Sequence, residues 1–210
     1  MTTQAPNPSI SSVPDPRPLL LRACEVADTL ISAVAATDLD RPTPCTEFEV
    51  RDLLGHLVMV ATRVRVVLGG GSFADVPQVI ELADDELVTA WQSSVADLRA
   101  TLPHVDLSAM VTAPFGVVPA FAAVASYAGE VAVHGWDLAV AIGRTDLLDQ
   151  ALAVPLLEAA LQRLPREGRE QLPFSDVVDV PDDRSAYDRL VGWMGRDPAW
   201  RAPVKGHAGM

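Results

Sequence analysis

The sequence predicts a mainly all-α protein: an antiparallel four-helix bundle with a short β insertion and a small C-terminal α/β appendage. Three observations support this. Four long stretches repeat apolar residues at three and four positions, the period at which one helix face turns inward. Links rich in proline and glycine separate them. A β-branched segment with Pro114 and Gly116 lies between the third and fourth stretches. At 210 residues the chain is long enough for one continuous core, or for one domain with a small addition.

Residues 1–16 form the expected flexible tail. Their prolines oppose helix, and they have neither the basic start nor the apolar run of a signal peptide. The bundle is expected over 17–148. Its first helix runs from Pro18 to about Ala36, with Arg22, Glu25 and Asp28 among apolar repeats. After the link "TDLDRPTPC", Thr46 and Glu49 fit a Thr-x-x-Glu capping box at the head of the second helix, and Gly69 to Gly71 stop it. The third helix spans about Asp84 to Thr101, opens on acidic residues and is closed by Pro103. His104 to Val118 reads as a short extended pair or an irregular crossover. The fourth helix opens at Pro119 and ends near Gly143. Residues 149–210 form the appendage: a helix to about Leu164, a polar loop, the strand-like "SDVVDVP" and a last helix "SAYDRLVGWMG".

The formal net charge of -12 disfavours nucleic acid and anionic membrane surfaces as partners. Charged residues interrupt every apolar run before the roughly 18 residues needed to span a bilayer. Two cysteines, Cys24 and Cys45, are too few for a disulfide framework and fit a reducing compartment, so a cytoplasmic location is expected. There is no Gly-rich phosphate loop, nucleophile elbow or Cys-x-x-Cys pair to support nucleotide hydrolysis, serine acyl transfer or dithiol chemistry.

The fourth helix carries the chemistry. In "GEVAVHGWDLA", Glu130, His134 and Asp137 fall within about 60° of one another on a helix that is apolar nearly all round. A buried unpaired charge costs several kcal/mol, about 3 or more, so these groups need a partner from another helix. His56, on the second helix with Leu53, Met59 and Val60 at helical spacing, also points inward. A divalent metal held by His56, Glu130 and His134 would supply the missing positive charge and keep one coordination position open. The spacing alone equally allows a hydrogen-bonded core histidine and an ordinary Glu–His pair at i and i+4. Asp137 could orient a ligating imidazole, or it could make a structural contact to a neighbouring helix. Tyr127, one turn before Glu130, could donate a hydrogen bond at the open position, or be a core tyrosine satisfied locally. These two are the candidate catalytic residues. Trp136 and Cys45 read as structural, and His104 and His207 have no ligand spacing.

"RPTPCTEFEVRDLLGHLV" and "GEVAVHGWDLAVAIGR" closely resemble two segments of actinobacterial metal-binding proteins. These proteins are related to mycothiol-dependent maleylpyruvate isomerase and, more distantly, to the DinB/YfiT-like metalloenzymes. The closing "RLVGWMGRDPAW" resembles the same family, so the likeness covers nearly the whole chain after the tail. It implies a DinB-like bundle with a divalent metal, usually zinc, on residues matching His56, Glu130 and His134. It further implies mycothiol as cosubstrate, a thiolate that adds to a substrate double bond and then leaves, and an unidentified small substrate. Relatives often pair, and the last helix with Trp193 and Trp200 is the surface for a possible homodimer. Two departures stand out. The region after Asp149 is shorter than the second domain of the isomerases, so their substrate does not carry over, and Phe48 stands where relatives commonly have Trp. The alternative on the same bundle is a non-catalytic metal-binding or regulatory protein, in which a fourth protein ligand, with Asp137 the candidate, would seal the metal.

Overall fold

Helix α1 (Arg17–Ser32) turns Leu20, Ala23, Cys24, Ala27, Leu30 and Ile31 to one side, as its apolar period requires, and buries them. In this computed structural model the described residues are 14–46, 48–77, 80–170 and 174–203. Most of the expected tail therefore lies outside them. From Pro14 the chain leads directly into α1, where the Arg17 N–H donates to Asp15 Oδ1 at 2.9 Å.

Helices α2 (Val50–Leu68), α3 (Leu87–Thr101) and α4 (Ala120–Ile142) complete the four-helix bundle. Its main contacts are α1 against α4 and α2 against α3, with α2 also meeting α4. The last contact joins the helix of His56 to the helix of Glu130 and His134. Gly55 permits a close approach beside it: a Cβ there would lie 2.8 Å from the Ile80 carbonyl oxygen.

The head of α2 corrects the capping expectation. The helix starts at Val50, and the Glu49 N–H donates to Asp52 Oδ2 at 3.1 Å. The cap is therefore Glu49 with Asp52, one turn later than Thr46 with Glu49, and Thr46 stays outside the helix. α3 likewise begins three residues later than expected, because 84–86 form a turn.

The extended pair is present as an antiparallel hairpin, β1 (Met110–Ala113) with β2 (Gly116–Pro119), in which Val111 faces Val118. Two hydrogen bonds fasten it to the head of α4: Ala120 N–H to Ala109 O at 2.8 Å and Phe121 N–H to Leu107 O at 2.9 Å. At the far end of α4, Gly143 adopts φ +73°, and the Arg144 N–H returns to Ala139 O at 2.7 Å.

After the bundle come α5 (Gln150–Arg163), capped by Asp149, and α6 (Ala186–Trp193), capped by Ser185. They pack on each other and reach α4. The strand expected in "SDVVDVP" is not formed among the described residues. That segment instead lies across α6: the Val178 N–H donates to Gly192 O at 3.0 Å, and a Cβ on Gly192 would meet Val180 Cγ2 at 2.4 Å. Its β-branched residues serve helix packing, with no second strand to pair. Trp193 is also engaged internally, its Nε1 donating to Ala160 O at 3.2 Å. No helix among the described residues is long and apolar enough to cross a membrane.

Candidate metal centre

The fourth helix is buried along most of its circumference, from Ala120 and Ala123 through Val131 and Trp136 to Ala141. Any polar residue on it must therefore find its partners inside the protein. Glu130 and His134, one turn apart, face His56 of α2 across the α2–α4 contact. One ligand atom from each of these three side chains lies within 4.8 Å of the others. His56 Nε2 is 3.8 Å from Glu130 Oε1, and the two imidazoles meet edge to face at 4.6 Å between centroids.

The group is enclosed yet reachable, with the side chains of His56 and Glu130 17% and 32% exposed. Burial, helped by the neighbouring His134 and Arg63, pushes the His56 imidazole down to about 3. Burial also raises the Glu130 carboxyl above its ordinary value, against the pull of His134 and Arg63. His56 Nε2 is buried and has no hydrogen-bond partner among the described residues. A neutral imidazole with an unused nitrogen, beside a carboxylate and a second imidazole, is a donor set suited to a borderline cation such as zinc.

Asp137 adjoins His134 on the Nδ1 side of its ring. It is fully buried, and its Oδ2 is 3.1 Å from His134 Nδ1. Arg196 grips the same carboxylate: Nε donates to Oδ1 at 3.0 Å, and Nη2 donates to Oδ2 at 3.1 Å. Arg196 reaches this position from the turn after α6, where Gly195 takes φ +82° and a Cβ would lie 2.8 Å from the Ser175 carbonyl oxygen. Cys45, His134 and Asp137 form a second group whose candidate ligand atoms lie within 4.8 Å of one another. His134 belongs to both groups.

Tyr127 is buried, its hydroxyl has no hydrogen-bond partner among the described residues, and its ring is 6.1 Å from Phe115 at the hairpin tip. Burial, and then the charge of Glu130, raise its pKa and keep it a neutral donor. Phe48 stacks 5.0 Å from His56. A groove between α1 and α3, lined in part by Asp28, Gln92 and Arg99, involves none of these residues.

Sequence reasoning missed two residues here. Arg63 lies seven residues after His56, on the same face of α2, and is only 8% exposed. Its charge acts on His56, Tyr127 and Glu130. The helical register was the available signal. Arg196 had no such signal, because it is 59 residues from Asp137 in the chain.

The comparisons with known proteins agree with this architecture. The mycothiol maleylpyruvate isomerase N-terminal domain family matches residues 20–139. Two uncharacterized proteins of Mycobacterium tuberculosis, from strains CDC 1551 / Oshkosh and ATCC 25618 / H37Rv, are each 32% identical to the chain. Each match covers 87% of this chain and 98% of the relative. Among solved structures, mycothiol-dependent maleylpyruvate isomerase superposes with a TM-score of 0.57 at 16% identity, covering 73% of this chain and 72% of the isomerase. A mutant of that isomerase gives the same TM-score at 15% identity. The fold is thus the DinB-like one, and the chain belongs to the mycothiol maleylpyruvate isomerase N-terminal domain family.

Proposed function

We propose that this protein holds one divalent metal ion, zinc being the best suited, through His56, Glu130 and His134. With a low-molecular-weight thiol of the mycothiol class, it would serve an isomerase or transferase reaction on a small substrate. One observation carries the reading: two helices bring three ligand atoms within 4.8 Å while one of them, His56 Nε2, is buried without a partner. Burial of an orphaned nitrogen is unfavourable unless something outside the chain satisfies it. The family's description names mycothiol, which supports a thiol of that class.

When bound, the cation would lower the pKa of a coordinated thiol and favour the thiolate. The chain's own residues do the rest. His56 offers a neutral lone pair because its surroundings hold its pKa near 3. The contact of His134 Nδ1 with Asp137 leaves Nε2 to ligate and fixes the ring's orientation. Asp137 is therefore a positioning residue, and Arg196 holds it in turn. Since the Asp137 oxygens are taken by His134 and Arg196, they do not seal the site from the exposed side of Glu130, which favours an accessible position over a closed structural one. Tyr127, with a free and neutral hydroxyl beside Glu130, is the donor available to whatever occupies that position.

Metal analysis of protein purified without a metal-affinity tag tests the reading. About one equivalent is expected for the native chain, and a small fraction of that for His56→Ala with unchanged circular dichroism. Near-zero content of every divalent metal after reconstitution overturns it. With cobalt as the metal, added mycothiol should shift the visible absorption. An unchanged spectrum in metal-loaded protein would instead favour the non-catalytic alternative.

A further inference from the structure

His134 takes part in two donor sets, and the proposed metal position uses only one of them. In the other, Cys45, His134 and Asp137 each present one ligand atom within 4.8 Å of the others. Separate parts of the fold hold these side chains in place. Cys45 lies in the turn before α2, where its carbonyl accepts from the Phe48 N–H and the Thr43 hydroxyl, both at 2.9 Å, and a bridge between Pro42 and Glu49 closes the loop. His134 and Asp137 stand one turn apart on α4, whose burial leaves them little freedom. Cys45 is only partly buried and forms no disulfide among the described residues. Cys24, by contrast, is fully buried, belongs to no such group among the described residues, and has its thiol pushed up to about 12 by burial.

From this we infer that Cys45, the Nδ1 atom of His134 and the Asp137 carboxylate form a second cation position, selective for a soft, thiolate-preferring ion, and that filling it empties the first. The position does not depend on the metal reading of His56, Glu130 and His134, and only the exclusion rests on it. A thiolate is the softest of these donors and the first position has none, so softness divides cations between the two. His134 Nδ1 and Asp137 Oδ2 are 3.1 Å apart. Two ligands of one tetrahedral ion stand about 3.4 Å apart, so little movement is needed. Arg196 donates to both Asp137 oxygens, and a carboxylate has about four lone-pair sites, so room for the ion remains with Arg196 in place.

The protons balance. Cys45 gives its proton to water as the sulfur–metal bond forms. The ion takes the place of the Nδ1 proton that faces Asp137, and that proton moves to Nε2. A neutral imidazole carries one proton on two nitrogens, so this move occupies the nitrogen that the first position requires. One ion therefore displaces the other.

Cadmium titrated into the metal-free full chain tests the position, read by thiolate-to-cadmium absorption in the ultraviolet. The native chain should give a signal that saturates at about one equivalent. Cys45→Ser should abolish it. His134→Ala should weaken cadmium binding at least about tenfold, the least that disturbing even the support of a ligand costs. His56→Ala, which removes a ligand of the first position only, should keep the full signal. No signal in the native chain, a signal that survives in Cys45→Ser, or one that is lost in His56→Ala overturns the second position. Should Cys45→Ser fail to fold, alkylation of the native chain decides: saturating cadmium should suppress iodoacetamide labelling of Cys45, read by peptide mass, and an unchanged rate overturns the position.

Cobalt-loaded protein tests the exclusion. Added cadmium should release cobalt in step with the rise of the thiolate signal. A rising signal with cobalt retained shows both positions filled and overturns the exclusion. Cobalt release with no thiolate signal puts cadmium in the first position and overturns the second. If cobalt never binds, the metal reading fails alone, and the titration of metal-free chain still decides the Cys45 position.

Discussion

Two buried arginines in this molecule stand in opposite situations. Arg169, in the segment after α5, is 2% exposed and surrounded by carbonyl groups. Its Nε donates to Pro165 O and its Nη1 to Trp193 O, both at 2.6 Å, and its guanidinium lies 5.3 Å from the Trp193 ring centre. Arg63 is almost as deeply enclosed but makes no hydrogen bond among the described residues. The first ties the polypeptide to itself, across 24 residues to Trp193. The second leaves its buried Nε without a partner among the described residues, and its charge acts on His56 and Glu130. Arg169 also leaves its Nη2 buried without a partner among the described residues, so one orphaned nitrogen does not by itself mark a binding group, and the two arginines differ in the carbonyl contacts that only Arg169 makes.

Stability measurements should expose the difference most strongly. Arg169→Met removes three carbonyl contacts, to Pro165, Ser175 and Trp193, and is expected to destabilise the protein by about 3 kcal/mol, lowering Tm by roughly 6–12 °C. Arg63→Met should stay within about 1 kcal/mol of the native protein, or gain stability, because an unpaired charge gives way to an apolar chain of similar length. Thermal unfolding of the metal-free variants checks both. Equal losses would mean that Arg63 has an internal partner, and the contrast would vanish.

Arg196 sharpens the comparison from a third position, paired with a carboxylate rather than with carbonyls. Arg196→Met leaves Asp137 buried with His134 as its remaining partner and should cost about 2 kcal/mol, discounted because the arginine side chain is 18% exposed. It should also weaken metal binding by about tenfold, through the orientation of His134. Competition with a chelating dye measures that effect, which Arg169→Met should not reproduce.

A further expected effect concerns acid. His56 stays neutral in the fold down to about 3, whereas its ordinary value is 6.5. Between those values the unfolded chain takes up a proton that the folded chain refuses, so metal-free protein loses stability as pH falls below 6.5. The slope from this group is at most about 1.4 kcal/mol per pH unit. Denaturant titrations at pH 7 and 5 should therefore show a smaller acid loss for His56→Gln than for the native chain. An identical loss would show that His56 already takes up its proton in the fold.

Much of the fold was legible because its signals are local. Apolar spacing marked α1 to α4, and Gly143 and Pro119 marked the ends of the fourth helix to within a residue. The head of α2 was misread because Thr46–Glu49 and Glu49–Asp52 both suit a helix start, and position in the tertiary structure decided between them. "SDVVDVP" misled for a related reason: β-branched residues fit a helix groove as well as a ladder. At the site, Glu130, His134 and Asp137 were readable from a stripe of charge on an apolar helix, and His56 from its own inward face. Arg63 was hidden in "TRVRVV", where an arginine ordinarily reads as solvent-facing, and Arg196 was hidden by distance along the chain.

The grip of Arg196 on Asp137 has a consequence for how the family module can be moved between proteins. The matching segment ends at residue 139, yet the cation that answers its buried carboxylate comes from beyond α6. A fragment cut after the fourth helix would keep the three candidate ligands, His56, Glu130 and His134, and lose the partner that holds Asp137 beside one of them. Grafting this centre onto another scaffold therefore requires transplanting two stretches of chain, together with the glycine turn that aims the second at the first.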